Sequence, residues 1–280
     1  MLVTLTEILK LAERENKAIG MFNATGFDSL QAEIAAAEEL GEPVIVAHAE
    51  VHNVYNDISL VAPAMLSAAK NAKVPVCVHL DHGVSPEMID RAIELGFTSV
   101  MIDASALPYE ENVRQTAETV AKCHARGISV EAELGRLAVN EDGSEVSASA
   151  FYTDPQEARR FVRETGVDAL AVAFGTSHGF YKAKPVLDFD VVRACRESTG
   201  LPLVMHGGSG VSPEDYVKAI QAGIRKINYY SYMSRAGYLA AKEVVESGKT
   251  SYLHDLEYAA MKAMKEDVKK AISVFSCRQI

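Results

Sequence analysis

The sequence predicts an α/β protein folded as a closed (β/α)8, or TIM, barrel. Three observations lead there. Short apolar, β-branched runs alternate about eight times with longer stretches of helical period. The runs are apolar on both faces, as strands of a buried parallel sheet must be. The first run leads into Phe22-Asn23-Ala24-Thr25-Gly26, not the GxGxxG of a doubly wound dinucleotide-binding sheet. The 280 residues exceed a typical domain but suit such a barrel, usually about 250 residues. One domain over 1–280 is therefore expected, with a C-terminal helical extension from about 254.

In chain order, the strand stretch 18–24 precedes a helix at 28–40, 43–49 precedes 57–71, and 75–81 precedes 85–95. The stretch 99–103 precedes 109–126, and 129–135 is followed by a long polar loop, 136–153, and a helix at 154–164. Then 169–174 precedes 188–198, 202–207 precedes 213–221, and 226–230 precedes 231–246. A last amphipathic helix covers 254–273.

Composition narrows the function. Hydrophobic residues make up 48% of the chain, enough for a large core, yet no run is long enough to cross a bilayer. The first ten residues lack the features of a signal peptide, so a cytoplasmic location is expected. The four cysteines, Cys77, Cys123, Cys195 and Cys277, are scattered and form no CxxC pair. A formal charge of −10 argues against nucleic acid or anionic membrane as a partner. An anionic ligand must then be held by a local site.

In such barrels chemistry sits at the C-terminal ends of the strands. Those ends carry Asn23, His48, Asp81 with His82, Asp103, Glu133, His178, His206 and Asn228. Three imidazoles, His82, His178 and His206, plus an open position are the coordination expected of catalytic zinc. Neighbours in a regular strand point to opposite faces, so Asp81 and His82 both reach the mouth only if the chain bends, which Gly83 permits. Asp81 then reads either as a base beside the metal or as a carboxylate orienting an imidazole. His79 lies on the face of Asp81 and reads as supporting. In His206-Gly207-Gly208-Ser209-Gly210, bare backbone N–H groups lead into a helix start and can cradle a phosphate. Lys182, in His178-Gly179-Phe180-Tyr181-Lys182, can neutralise it.

With these motifs, and with Val78-His79-Leu80-Asp81-His82-Gly83, Val130-Glu131-Ala132-Glu133-Leu134-Gly135 and Gly175-Thr176-Ser177-His178-Gly179, the chain resembles the class II fructose-bisphosphate and tagatose-bisphosphate aldolases over residues 1–250. The resemblance implies zinc (Zn2+) on His82, His178 and His206, with Asp103 and Glu133 at a second metal position. It makes Asp81 the acid/base for the C4 hydroxyl of a phosphorylated ketose and Glu141 a second acid/base on the long loop. Dihydroxyacetone phosphate would be held by Gly179, Gly207, Gly208, Ser209, Asn228, Tyr229, Tyr230 and Ser231, with a monovalent cation such as Na+ nearby, while Asn23 and Lys182 are further substrate-binding candidates from their own places at the mouth. The implied cleavage is reversible, giving dihydroxyacetone phosphate and an aldehyde such as glyceraldehyde 3-phosphate through zinc-stabilised enediolate chemistry. The resemblance further implies a homodimer or homotetramer.

Two segments depart from the family pattern. Asn228-Tyr229-Tyr230-Ser231 carries a bulky phenol where members have a carboxylate or methyl, and the second strand ends in His48-Ala49-Glu50 where a Ser is common. Both lie where the distal half of a substrate would be sensed, for which Arg235 and Arg278 are candidate phosphate ligands. The alternatives are an epimerase using the same zinc site and, in a different class, a non-catalytic sugar-phosphate binding protein.

Overall fold

The stretch 43–49 shows how the sheet is built. Val44 and Val46 join the apolar layer between strands and helices, whereas Ile45 and Ala47 join a second cluster inside the barrel. That is the alternation a strand imposes, and because both faces are covered, both must be apolar. The computed structural model describes residues 1–135, 152–181 and 183–277.

After a two-residue strand β1 (Leu2–Val3), the barrel strands are β2 (Ile19–Asn23), β3 (Val44–Ala49), β4 (Val76–Gly83), β5 (Ser99–Ile102), β6 (Ser129–Leu134), β7 (Ala169–Val172), β8 (Leu203–Met205) and β9 (Ile224–Asn228). From β2 to β9 they pair in chain order, all parallel. The β2–β9 pairing, with Ile19 opposite Lys226 and Met21 opposite Asn228, closes the ring. The eight predicted strands are thus present and the barrel is closed.

Helices α1 (Leu5–Glu15), α2 (Phe27–Leu40), α3 (Ile58–Asn71), α4 (Pro86–Leu95), α5 (Tyr109–His124), α6 (Pro155–Thr165), α7 (Phe189–Thr199), α8 (Pro213–Ala222), α9 (Ser231–Ser247) and α10 (Leu253–Phe275) complete the described elements, with a 3-10 turn at Glu50–Val54. Three of them open on a capping side chain followed by proline, Ser85-Pro86, Asp154-Pro155 and Ser212-Pro213. The cap satisfies an orphan N–H and the proline presets the first turn.

The strand-and-helix reading did not anticipate β1 or α1. Thr4 and Glu7 form a capping box at the start of α1. The spacing of Leu5, Ile8, Leu9 and Ala12 then puts four apolar side chains on one face, which closes the floor of the barrel against Ile19, Met21, Ile45, Cys77, Ala169, Ala171 and Val204. At the other end of the chain α10 packs on α2, α8 and α9. It is tied to the barrel by the Ala18 N–H donating to Phe275 O at 3.0 Å and the Tyr229 hydroxyl donating to Asp267 at 3.0 Å.

Candidate active site and metal centre

The C-terminal mouth holds a cavity of about 180 Å³. Asn23, Asp81, His82, His178, Gly179, Gly207, Gly208, Ser209, Asn228, Tyr229, Tyr230 and Ser231 line it, together with Ala49, Val51 and His52. Residues more than two hundred positions apart meet there because parallel strands bring all their C-terminal ends to one rim.

Asp81 and His82 do share the mouth, but the bend lies elsewhere than expected. His82 itself takes the left-handed conformation, φ 45°, and the β4–β5 pairing slips between Leu80 and Gly83. This bulge turns two successive side chains to the same side. Gly83 instead allows close packing, since a Cβ there would lie 2.8 Å from the Met101 carbonyl oxygen.

The three imidazoles converge. Ring centroids are 4.7 Å apart for His82 and His206, 5.1 Å for His82 and His178, and 6.0 Å for His178 and His206. One nitrogen from each lies within 4.8 Å of the others, as do ligand atoms of His82, Asp103 and Glu133. Each of two rings is held from behind by a carboxylate. Asp103 Oδ2 is 2.6 Å from His82 Nδ1, and Glu131 Oε1 is 3.0 Å from His206 Nε2. The opposite nitrogens, His82 Nε2 and His206 Nδ1, are buried without a hydrogen-bond partner, as is Glu133 Oε2, which sits 2.9 Å from His206 Nδ1. Buried polar atoms without partners are rare and costly. Three at one spot, each aimed by a carboxylate-anchored or acidic group, are a donor set that fits a divalent cation.

Electrostatics agree with that fit. Burial alone would discharge His206, but the Glu131 and Glu133 carboxylates beside its two nitrogens outweigh it and raise its pKa to about 10, so these carboxylates favour positive charge at that point. Burial and the neighbouring His206 and His82 lower His178 to about 4, which leaves it neutral and able to donate a lone pair. For Asp81, burial would raise the pKa, yet the fields of His82, Lys226, His206 and His79 overcome it and hold the carboxyl well below its ordinary range. Both its oxygens are also bonded, Oδ2 to Asn23 Nδ2 at 2.9 Å and Oδ1 to Asn228 Nδ2 at 3.1 Å.

Beside the imidazoles, Gly207 has φ 61°, and a Cβ there would stand 2.3 Å from the Ser177 carbonyl oxygen, so only glycine fits the turn. Ser209 Oγ accepts from the Tyr230 N–H at 3.1 Å and fixes the turn against the start of α9. Tyr230 and Ser231 thus bring the first turn of α9 to the cavity, where free N–H groups and the helix dipole attract an anion.

Other expected residues fall differently. His48 is fully buried outside the cavity lining. The Tyr229 hydroxyl is committed to Asp267. Arg235 lies over the Phe180 ring, 5.2 Å from its centroid, and does not line the cavity. Lys182, Glu141, residues 136–151 of the long loop and Arg278 lie outside the described residues. His79 supports as expected, its Nδ1 2.8 Å from Ser99 Oγ. Sequence reasoning missed Glu131, Lys226 and His52. The first two carried a usable signal: each stands two residues before a strand-end residue, Glu133 or Asn228, and so faces the same way one layer deeper. His52, in the 3-10 turn, carried none.

A class-II fructose-bisphosphate aldolase family model matches residues 3–279. A fructose-bisphosphate aldolase of Staphylococcus epidermidis is 41% identical over 281 residues, covering 98% of this chain and 97% of that protein. One from Staphylococcus aureus is 40% identical with the same coverage. Among solved structures, the YdjI aldolase from Escherichia coli K12 is 40% identical, with a TM-score of 0.88, covering 98% of this chain and 97% of that one.

Proposed function

The chain belongs to the class II fructose-bisphosphate aldolase family, and from that premise we propose how the mouth of its barrel works. It is a ketose-bisphosphate aldolase, a lyase that cleaves a carbon–carbon bond of a phosphorylated ketose. The observation that carries the residue-level reading is the convergence of unpaired His82 and His206 nitrogens beside the cavity that His82 and Asp81 line.

In this reading His82, His178 and His206 hold the catalytic zinc, and Asp103 and Glu133 serve a second metal position. Zinc, when bound, polarises the ketose carbonyl and stabilises the negative charge that cleavage leaves behind. Asp81 takes the proton of the C4 hydroxyl as the C3–C4 bond breaks. Its two Asn partners leave a lone pair free on each oxygen while fixing the carboxylate in place. The turn Gly207 to Ser209, Gly179 and the opening of α9 hold the phosphate of dihydroxyacetone phosphate, assisted by Lys182 and a monovalent cation such as Na+. Glu141 returns a proton to carbon. Tyr230, whose ring lies 4.9 Å from His52, and Ala49 border the distal half of the substrate.

We take residues 1–280 as one catalytic domain working in the cytoplasm as a homodimer or homotetramer. Among the described residues no helix is long and apolar enough to cross a membrane.

The test is a panel of phosphorylated ketoses assayed with zinc-loaded and chelator-treated protein. Fructose or tagatose 1,6-bisphosphate should yield dihydroxyacetone phosphate and glyceraldehyde 3-phosphate only when zinc is present. His206→Ala should be folded and inactive. Full turnover by metal-free protein would refute the assignment.

A further inference from the structure

Below the mouth lies a buried layer of charge that the cleavage chemistry does not itself use. Lys226 in β9 is fully buried inside the barrel, where branched aliphatic side chains are the rule. Its Nζ is 3.0 Å from Glu131 Oε1, 2.9 Å from Glu131 Oε2 and 2.7 Å from Asn228 Oδ1. A buried ion pair often stabilises no better than apolar residues of the same volume, so stability alone is a weak reason to keep one here.

We propose that Lys226 is a positioning residue serving both halves of the site: through Glu131 it fixes the nitrogen that His206 offers to metal, and through Asn228 it fixes how Asp81 is held. The proposal rests on the aldolase reading above. Donors and acceptors fix both orientations. An ammonium only donates and an ionised carboxylate only accepts, whereas an Asn amide can be turned either way. Facing Lys226, Asn228 must present Oδ1, so its Nδ2 necessarily faces Asp81 Oδ1, 3.1 Å away. The reversed amide would set donor against donor at Lys226 and acceptor against acceptor at Asp81. On the other branch, Glu131 held as a carboxylate requires an N–H of His206 at Nε2, so that a His206 ring made neutral to ligate metal presents its Nδ1 lone pair on the side of Glu133 and the other imidazoles. One cation thereby sets two orientations, one at a metal-facing imidazole and one at the Asp81 carboxylate.

The competing account is that Lys226 merely neutralises Glu131 for folding. Lys226→Met alone strands a buried carboxylate, so the deciding protein is Lys226→Met/Glu131→Gln, which removes both charges together. Two quantities are measured against the parent: zinc affinity, by competition with a chelator, and the ratio of ketose cleavage to zinc-dependent proton exchange on dihydroxyacetone phosphate. In the proposed mechanism Asp81 acts on the C4 hydroxyl and not on the exchanged carbon proton, so the ratio isolates the Asn228–Asp81 branch. Positioning through both branches predicts a folded double variant with zinc affinity lowered about 10–100-fold and the ratio lowered by a similar factor. A folded double variant matching the parent in either quantity within about twofold overturns the two-branch proposal. A parent that cleaves no ketose defeats the aldolase reading separately, and the zinc competition then still decides whether Lys226 orients His206.

Discussion

The two ends of this barrel are made from the same eight strands and are chemically opposite. At the floor, α1 inserts Leu5, Ile8, Leu9 and Ala12, and polar side chains are paired. Arg225 donates to Glu13, Asn16 and two backbone carbonyls, and Lys17 pairs with Glu42 at 2.5 Å. At the mouth, polar side chains are buried with atoms left over. The difference teaches where the molecule gains stability and where it gives some up. The floor is packed so that the mouth can hold imidazoles and carboxylates in an arrangement that only a ligand completes.

Asp81→Ala strikes the mouth and should have the largest effect: a cleavage rate lower by about 10²–10⁴, the range for loss of a general acid–base. Zinc content and proton exchange on dihydroxyacetone phosphate should largely survive. Recovery of the rate on adding zinc would show that Asp81 only orients His82, and the mouth would then be a metal site without its base. Leu9→Ala strikes the floor, where the side chain is almost completely buried. Denaturant unfolding should show a loss of about 2–5 kcal/mol, while kcat of the folded protein stays within about twofold. A tenfold fall in kcat would break the division between the ends.

Glu33 on α2 lies in neither end and should have the smallest effect. It is fully buried, both carboxylate oxygens lack a hydrogen-bond partner, and burial raises its pKa well above the ordinary value. The folded chain therefore keeps a proton that the unfolded chain releases. Stability contributed by this group is present below the unfolded-state pKa and is lost as pH rises above it. Glu33→Gln should remove that loss, so its melting temperature should gain on the parent between about pH 5 and pH 8. A gap that stays constant across that range would mean Glu33 is not titrating differently in the two states.

Much of this was legible along the chain. Strands apolar on both faces announced a parallel barrel, and the barrel rule turned His82, His178 and His206 from three isolated histidines into one group. Period-two spacing also held information that was not drawn from it. His79 before Asp81, Glu131 before Glu133 and Lys226 before Asn228 form a second polar tier beneath the first. The closing helix α1 was missed because an 11-residue amphipathic helix before the first barrel strand has no place in the strand-then-helix pattern, although its capping box was visible in Thr4 and Glu7.

What the sequence determined by itself was therefore periodic: which residues are strand, which face inward, and which polar groups crowd the strand ends. Tertiary structure alone decided the partners. That His82 carries the bend follows from the register slip between β4 and β5, and that Asp103 anchors one imidazole and Glu131 another follows from how neighbouring strands are staggered around a closed ring. The physical reason is that side-chain alternation is a local property of each strand, whereas hydrogen-bond partners depend on the relative register of strands distant in sequence, which is fixed only when the barrel closes.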